Sequence, residues 1–168
     1  MTVELRPVTI DEKEILRNLL EKYDYEFSRW DRRDVNKFGL YGYRYLDHYW
    51  TEDKRWAYFI MVDDKLAGFA MVISLPEVAD RETDFQMAEF CVLPKYRRQG
   101  VGRQAFFRLL DLHRGRWQLM RHPANTSSVH FWDKVISEYT KEQYELVKSY
   151  PGTEYADGTP GDVYFFES

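Results

Sequence analysis

The run Val92-Leu93-Pro94-Lys95-Tyr96-Arg97-Arg98-Gln99-Gly100-Val101-Gly102-Arg103 constrains this chain more than any other stretch. It closes an apolar segment, Asp84 to Leu93, that reads as a strand stopped by Pro94. It opens an amphipathic segment, Gly100 to Arg114, with Val101, Ala105, Phe106, Leu109 and Leu110 on one side. A strand therefore passes through a short basic turn straight into a helix. The first turn of a helix has backbone N–H groups without intrahelical partners, and the helix dipole adds partial positive charge there. Glycines at 100 and 102 let a ligand approach that backbone without meeting a Cβ. With Arg97, Arg98 and Arg103 raising the local potential, the run fits a pyrophosphate site. The plainer alternative is a loop whose glycines serve only the turn. Two other nucleotide patterns fail on residues. The Walker loop needs Gly-Lys-Ser/Thr, but Gly102 is followed by Arg103 and Gln104; the dinucleotide fingerprint needs its first glycine directly after the strand.

The remaining segments place this turn inside a sheet. Thr2 to Arg6 alternates as a short strand ended by Pro7, and Thr9 or Asp11 caps a helix carrying Ile15, Leu16, Leu19, Leu20 and Tyr23. Tyr25 to Trp56 is rich in aromatic and acidic residues and shows no clear period, with a second helix expected within Leu40 to Trp50. Arg55 to Val62 and Leu66 to Leu75 form a hairpin about Asp63-Asp64. Pro76 to Thr83 reads as loop. A short strand at Trp117 to Met120 and a helix at Asn125 to Ile136 follow. Glu138 to Leu146 and Asp162 to Phe166 read as final strands, with a glycine-rich loop between them. The pattern predicts a mixed α/β sheet with helices on both faces.

Composition excludes several classes. At 168 residues the chain fits one domain able to bury roughly 70% of its unfolded surface. The net charge of −4, with both signs mixed throughout, is not that of a nucleic-acid binder. Cys91 is the sole cysteine, so there is no internal disulfide and no cysteine cluster for zinc, which suits a reducing, cytoplasmic setting. Met1 to Ile10 lacks the apolar core of a signal peptide, and no stretch approaches the ~20 apolar residues of a membrane span.

The glycine run resembles the acetyl-CoA signature of the GNAT family, R/Q-x-x-G-x-G/A after a strand ending V-x-P. Here it reads Arg97-Arg98-Gln99-Gly100-Val101-Gly102. Asn125-Thr126-Ser127-Ser128-Val129-His130-Phe131-Trp132 is similar to the family's N-x-x-A/S-x-x-F-Y helix at the expected distance. The resemblance implies a single GNAT domain over residues 1–168, of α/β (α+β) class. Its sheet should be mixed, mostly antiparallel and of six to seven strands, with helices on both faces. It further implies transfer of an acetyl group from acetyl-CoA to a primary amine, by direct attack in a ternary complex and without a metal. Backbone atoms of Cys91 and Val92 would pair with the pantetheine arm. The pyrophosphate would accept N–H groups from Arg98, Gln99, Gly100, Val101, Gly102 and Arg103, with Arg97 beside them. Asn125 would touch the cofactor, cap its helix, or do both.

Such chemistry needs a base for the ammonium acceptor and a donor for the thioester carbonyl; the family often adds an acid for the departing thiolate. The Val92 N–H is the implied donor. Glu89, the one carboxylate in the central part of its strand, is the candidate base, with pairing to an arginine or exposure to water as its plainer explanations. His122 is a second candidate base, and Cys91 a weak candidate nucleophile. The sequence departs from the family at Trp132, where a tyrosine is usual: an indole N–H is not a useful acid. Water, Tyr139 or Tyr144 would then protonate the thiolate, and Trp132 would pack the core.

Between Tyr23 and Tyr49, the aromatics Tyr25, Phe27, Trp30, Phe38, Tyr41, Tyr43 and Tyr45 are interleaved with Asp24, Glu26, Asp31, Asp34 and Asp47. Aromatic faces beside carboxylates suit a cationic ligand, and core packing with solvated acids is the other explanation. The reading is an N-acetyltransferase for a small, cationic amine, able to exist as a homodimer. The rival reading is a non-catalytic acyl-CoA-binding sensor or regulatory module that kept the loop and lost the acid.

Overall fold

A computed structural model describes all 168 residues. Its strands are β1 (Val3–Pro7), β2 (Arg55–Val62), β3 (Lys65–Ile73), β4 (Phe85–Val92), β5 (Arg116–Arg121), β6 (Tyr144–Val147) and β7 (Asp162–Glu167). Its helices are α1 (Lys13–Asp31), α2 (Val101–Leu112) and α3 (Thr126–Thr140). The strands form one seven-stranded sheet in the order β1-β2-β3-β4-β5-β7-β6. Every neighbouring pair is antiparallel except β4 with β5, which are parallel. One face is covered by α1, whose Leu16, Leu19 and Leu20 pack on Phe59, Phe69 and Met71. Each such leucine stabilises the fold by about 1.5–3 kcal/mol on burial. On the other face α2 and α3 bring Phe106, Leu109, Leu110, Val135 and Ile136 against Tyr58, Val72, Leu119 and Tyr164. The mixed, mostly antiparallel sheet with helices on both faces matches the architecture expected from sequence.

Three boundaries differ from expectation. The first helix runs on to Asp31 and ends where Arg32 turns left-handed at φ 62. Phe27 and Trp30 prolong its apolar stripe from Tyr23, and the Phe27 ring packs on both Tyr23 and Trp30. The helix expected within Leu40 to Trp50 is one 3-10 turn, Leu46–Trp50. Ahead of it, Gly39 and Gly42 have positive φ, and the Glu21 carboxylate of α1 accepts the N–H groups of Tyr41 and Gly42, so the loop is pinned in a non-helical path. The strand expected from Glu138 is instead helix as far as Thr140. Tyr139 there packs on Phe107 of α2, and left-handed Lys141 and Glu142 end the helix before β6.

Two irregularities of β4 open the sheet. It pairs with β5 only from Phe85–Trp117 to Met87–Leu119, and beyond that point the strands part. On its other side the β3 register slips: Val72 faces Met87 and Met71 faces Glu89, so Ala88 is a bulge. Phe85 and Met87 lie on the α2–α3 side, and without the bulge Glu89 would share their parity and enter an apolar core. With it, Phe90 resumes the α2–α3 side, Ala88 packs on the α1 side, and Glu89 turns to the residues of α1. Gly68 of β3 approaches the end of β4 so closely that a Cβ there would lie 2.0 Å from the Cys91 carbonyl oxygen.

Candidate active site

After β4, Pro94–Tyr96 makes one 3-10 turn, Arg98 (φ 59) and Gly100 (φ 79) adopt left-handed conformations, and α2 begins. None of the backbone N–H groups from Arg98 through Arg103 donates to a protein acceptor; the next one, of Gln104, returns to Gly100 O. A continuous row of unpaired donors at a helix N-terminus fits a pyrophosphate. The arginines divide differently from expectation. Arg97 is committed to Glu26 through two bonds of 2.8 Å and to Val92 O at 2.6 Å, and Arg103 to Glu138. Only Arg98 leaves its guanidinium without a protein carboxylate, so backbone donors carry most of the anion-binding character. Gln99 turns away, donating to Lys95 O, and Val101 is buried in the core. Gly102 is needed for packing as well as access: a Cβ there would lie 3.1 Å from the Phe131 ring.

The parted strands, this loop and α1 enclose a cavity of about 1190 Å³. Val92, Arg98, Gly102 and Asn125 line it together with Tyr23, Asp24, Tyr43, Glu77, Glu89 and Tyr155. Asn125 is buried and caps α3, its Oδ1 accepting the Ser128 N–H at 3.2 Å, while the residue also faces the cavity. The two sequence motifs thus meet on one space, although they lie on different elements.

Glu89 lines this cavity from β4. Burial pushes its carboxyl up to about 7; the charge of Asp24 adds to the rise, while the Tyr23 and Tyr43 hydroxyls and Arg33 oppose it. Asp24 is itself raised to about 6 by burial, against the pull of Arg33 at 3.3 Å. A carboxyl of this kind is half ionised near neutrality and suits proton transfer. The other candidates are less apt. The Cys91 thiol is pushed up to about 11 by burial, so it stays protonated and is a poor nucleophile. His122 is occupied at both ring nitrogens, by the Ala124 N–H and by Asp157, which leaves no free lone pair for a base. Trp132 lies in the core against Phe90, Phe106 and Phe131, with one edge on the cavity. Tyr139 donates to Asp111 and Tyr144 packs on Tyr164, and neither lines the cavity, so neither is placed to serve as the acid.

The matching family model is that of the acetyltransferase (GNAT) family, over residues 16–136. The chain belongs to the GNAT family. As a GNAT acetyltransferase it transfers an acetyl group from acetyl-CoA to an amine. No curated protein sequence matches it. Among solved structures, an acetyltransferase from Thermus thermophilus superposes with a TM-score of 0.69 at 17% identity, over 100% of this chain and 98% of that one. The spermidine N-acetyltransferase from Vibrio cholerae, in complex with CoA and spermine, gives 0.65 at 15%, over 97% and 92%. An aminoglycoside acetyltransferase in complex with coenzyme A gives 0.65 at 16%, over 96% and 94%. At these identities the likeness is one of fold. No helix is long and apolar enough to cross a membrane, and no group of His, Cys, Asp and Glu is arranged to hold a metal ion.

The sequence pointed to Glu89, Asn125 and the loop, but not to Tyr155, Glu77 or Gln86 as cavity residues. Tyr155 reaches the site from the long loop before β7, its ring packing on His122 at 4.8 Å and on Phe27 at 5.7 Å. Its aromatic character within a Gly-rich loop was the one available signal.

Proposed function

We propose that this GNAT acetyltransferase acetylates a primary amine of a small, cationic acceptor by direct attack in a ternary complex. The observation that carries the reading is the single cavity joining the unpaired N–H row of the loop to the raised carboxyl of Glu89. Acetyl-CoA supplies the activated acyl group. The N–H groups from Arg98 to Arg103 hold its pyrophosphate, the free edge of β4 at Cys91 and Val92 lines its pantetheine arm, and the Val92 N–H polarises the carbonyl. Glu89 accepts the proton of the acceptor's ammonium, directly or through a water, and so yields the neutral nucleophile. With Trp132 where the family has tyrosine, solvent delivers the proton that the departing thiolate takes up.

Charge and aromatic character support a cationic acceptor. Tyr23, Phe27, Trp30, Tyr43 and Tyr155 face the acceptor end together with Asp24, Glu77 and Glu89. Two of the arginines nearby are neutralised, Arg33 by Asp24 and Asp31 and Arg55 by Glu52, whereas Arg44 pairs with no carboxylate and lies over the Tyr45 ring. An ammonium over such a ring gains ~0.5–2 kcal/mol. Two of the fold relatives are by name a spermidine and an aminoglycoside acetyltransferase, whose acceptors are multiply cationic amines. Thiol release from acetyl-CoA, measured with spermidine, kanamycin, glycine and glutamate as acceptors, tests the reading. A preference for the cations that weakens with added salt is expected. A preference for glutamate would overturn it, and coenzyme A binding without thiol release to any amine would favour a non-catalytic sensor.

A further inference from the structure

The α1 face of β4 carries a second polar group that acetyl transfer leaves idle. Gln86 is 7% exposed and lines the cavity, and its Oε1 is buried without a hydrogen-bond partner. Buried amides are nearly always paired, so an unpaired one on a cavity wall points to a partner that occupies the cavity. No hydrogen bond fixes the amide's rotation, so it can turn its oxygen toward a cation there.

Strand register sets its distance from the base. Gln86 faces Ile73 on β3, and Glu89 faces Met71. Two residues of strand span about 7 Å, and Ala88's bulge keeps both side chains on one face. Across the parallel pair, Gln86 is matched with Gln118. Gln118 clamps the backbone of Val78 with both amide atoms, at 3.0 Å to its N–H and 2.7 Å to its carbonyl. That clamp fixes the loop carrying Glu77, the preceding residue, whose exposed side chain lines the same cavity. The result is an anionic, acceptor-rich corner a short way along the sheet from Glu89.

We propose that Gln86 and Glu77 form a subsite for a second ammonium, so that the acceptor is a diamine or polyamine. The reacting nitrogen stands at Glu89, and a second nitrogen, separated by a short alkyl chain, donates to Gln86 Oε1 and to the Glu77 carboxylate. Neither residue takes part in proton transfer; together they select and position the acceptor. The proposal rests on the cationic-amine reading above and narrows it from any cation to one with two nitrogens at a defined spacing.

The test compares kcat/KM for putrescine and for n-pentylamine, a monoamine of similar length, in the wild-type enzyme, in Gln86→Leu and in Glu77→Gln. The wild type should favour putrescine by about tenfold or more, the scale of a hydrogen bond to a charged group. Each substitution should collapse that ratio, mainly through KM for putrescine. Coenzyme A affinity in each variant checks folding, and Glu77, being exposed, gives an answer even if Gln86→Leu fails to fold. A wild-type ratio near unity, or a ratio untouched by Glu77→Gln, overturns the subsite while leaving the amine reading intact. Acetylation of neither amine, with coenzyme A still bound, overturns the subsite, and overturns the amine reading as well if spermidine and kanamycin are also left unacetylated.

Discussion

Glu89 owes its position to one inserted residue. Its identity as a candidate base was legible because a carboxylate on an apolar strand is conspicuous. Its orientation was not, because the bulge at Ala88 depends on pairing with β3, a partner distant in sequence. The same holds for Tyr155, whose loop folds back on His122 and Phe27. The raised carboxyl has consequences for rate and for stability. Only its ionised form accepts a proton, so kcat/KM should climb with pH through about 7 and then level. Glu89→Gln should remove that rise and lower kcat by ~10²-fold or more with coenzyme A affinity nearly unchanged. In the unfolded chain this carboxyl ionises near its ordinary value of 4.5, whereas in the folded state it holds its proton to about 7. The unfolded state thus releases a proton first, and the wild type loses stability as pH rises between the two values. Glu89→Gln should therefore melt higher than wild type at pH 8, with the gap closing near pH 4. A wild-type pH–rate profile in the variant would move the base elsewhere.

At the scale of elements, periodicity exposed the strands of the β2–β3 hairpin and the helix after Gly100, where apolar spacing and turn residues agree. It failed where a long-range contact decides the outcome. Glu21 holds Tyr41 and Gly42 out of a helix, and Phe107 prolongs α3 through Tyr139. The approach of β3 to the end of β4 was equally invisible, although the proposed cofactor edge depends on it. Gly68→Ala would force a methyl group to within 2.0 Å of the Cys91 carbonyl, and backbone on both sides leaves no flexible side chain to yield. The expected loss is about 1–3 kcal/mol or more of stability. Coenzyme A binding should weaken with it, because Cys91 and Val92 must shift. Urea denaturation and calorimetric titration would show both, whereas an unchanged midpoint would mean that the two strands do not meet so closely.

Over the whole molecule, the parallel β4–β5 pair is the one break in an antiparallel sheet, and the cavity opens where that pair parts. The chain carries a net charge of −4, and Asp24, Glu77 and Glu89 line the same cavity as the backbone donors of the glycine loop and Arg98. On the proposed reading, this polarity lets two oppositely charged substrates share one cavity. The proposed direct attack also requires both to be present when the acyl group moves, and Cys91, the one cysteine on the cavity, is protonated and unsuited to hold the acyl group in transit. Initial rates of thiol release with acetyl-CoA and spermidine varied together test this most directly. Intersecting double-reciprocal lines, with acetylated spermidine as product, are the predicted result. Parallel lines, or thiol release that ignores the amine, would contradict it.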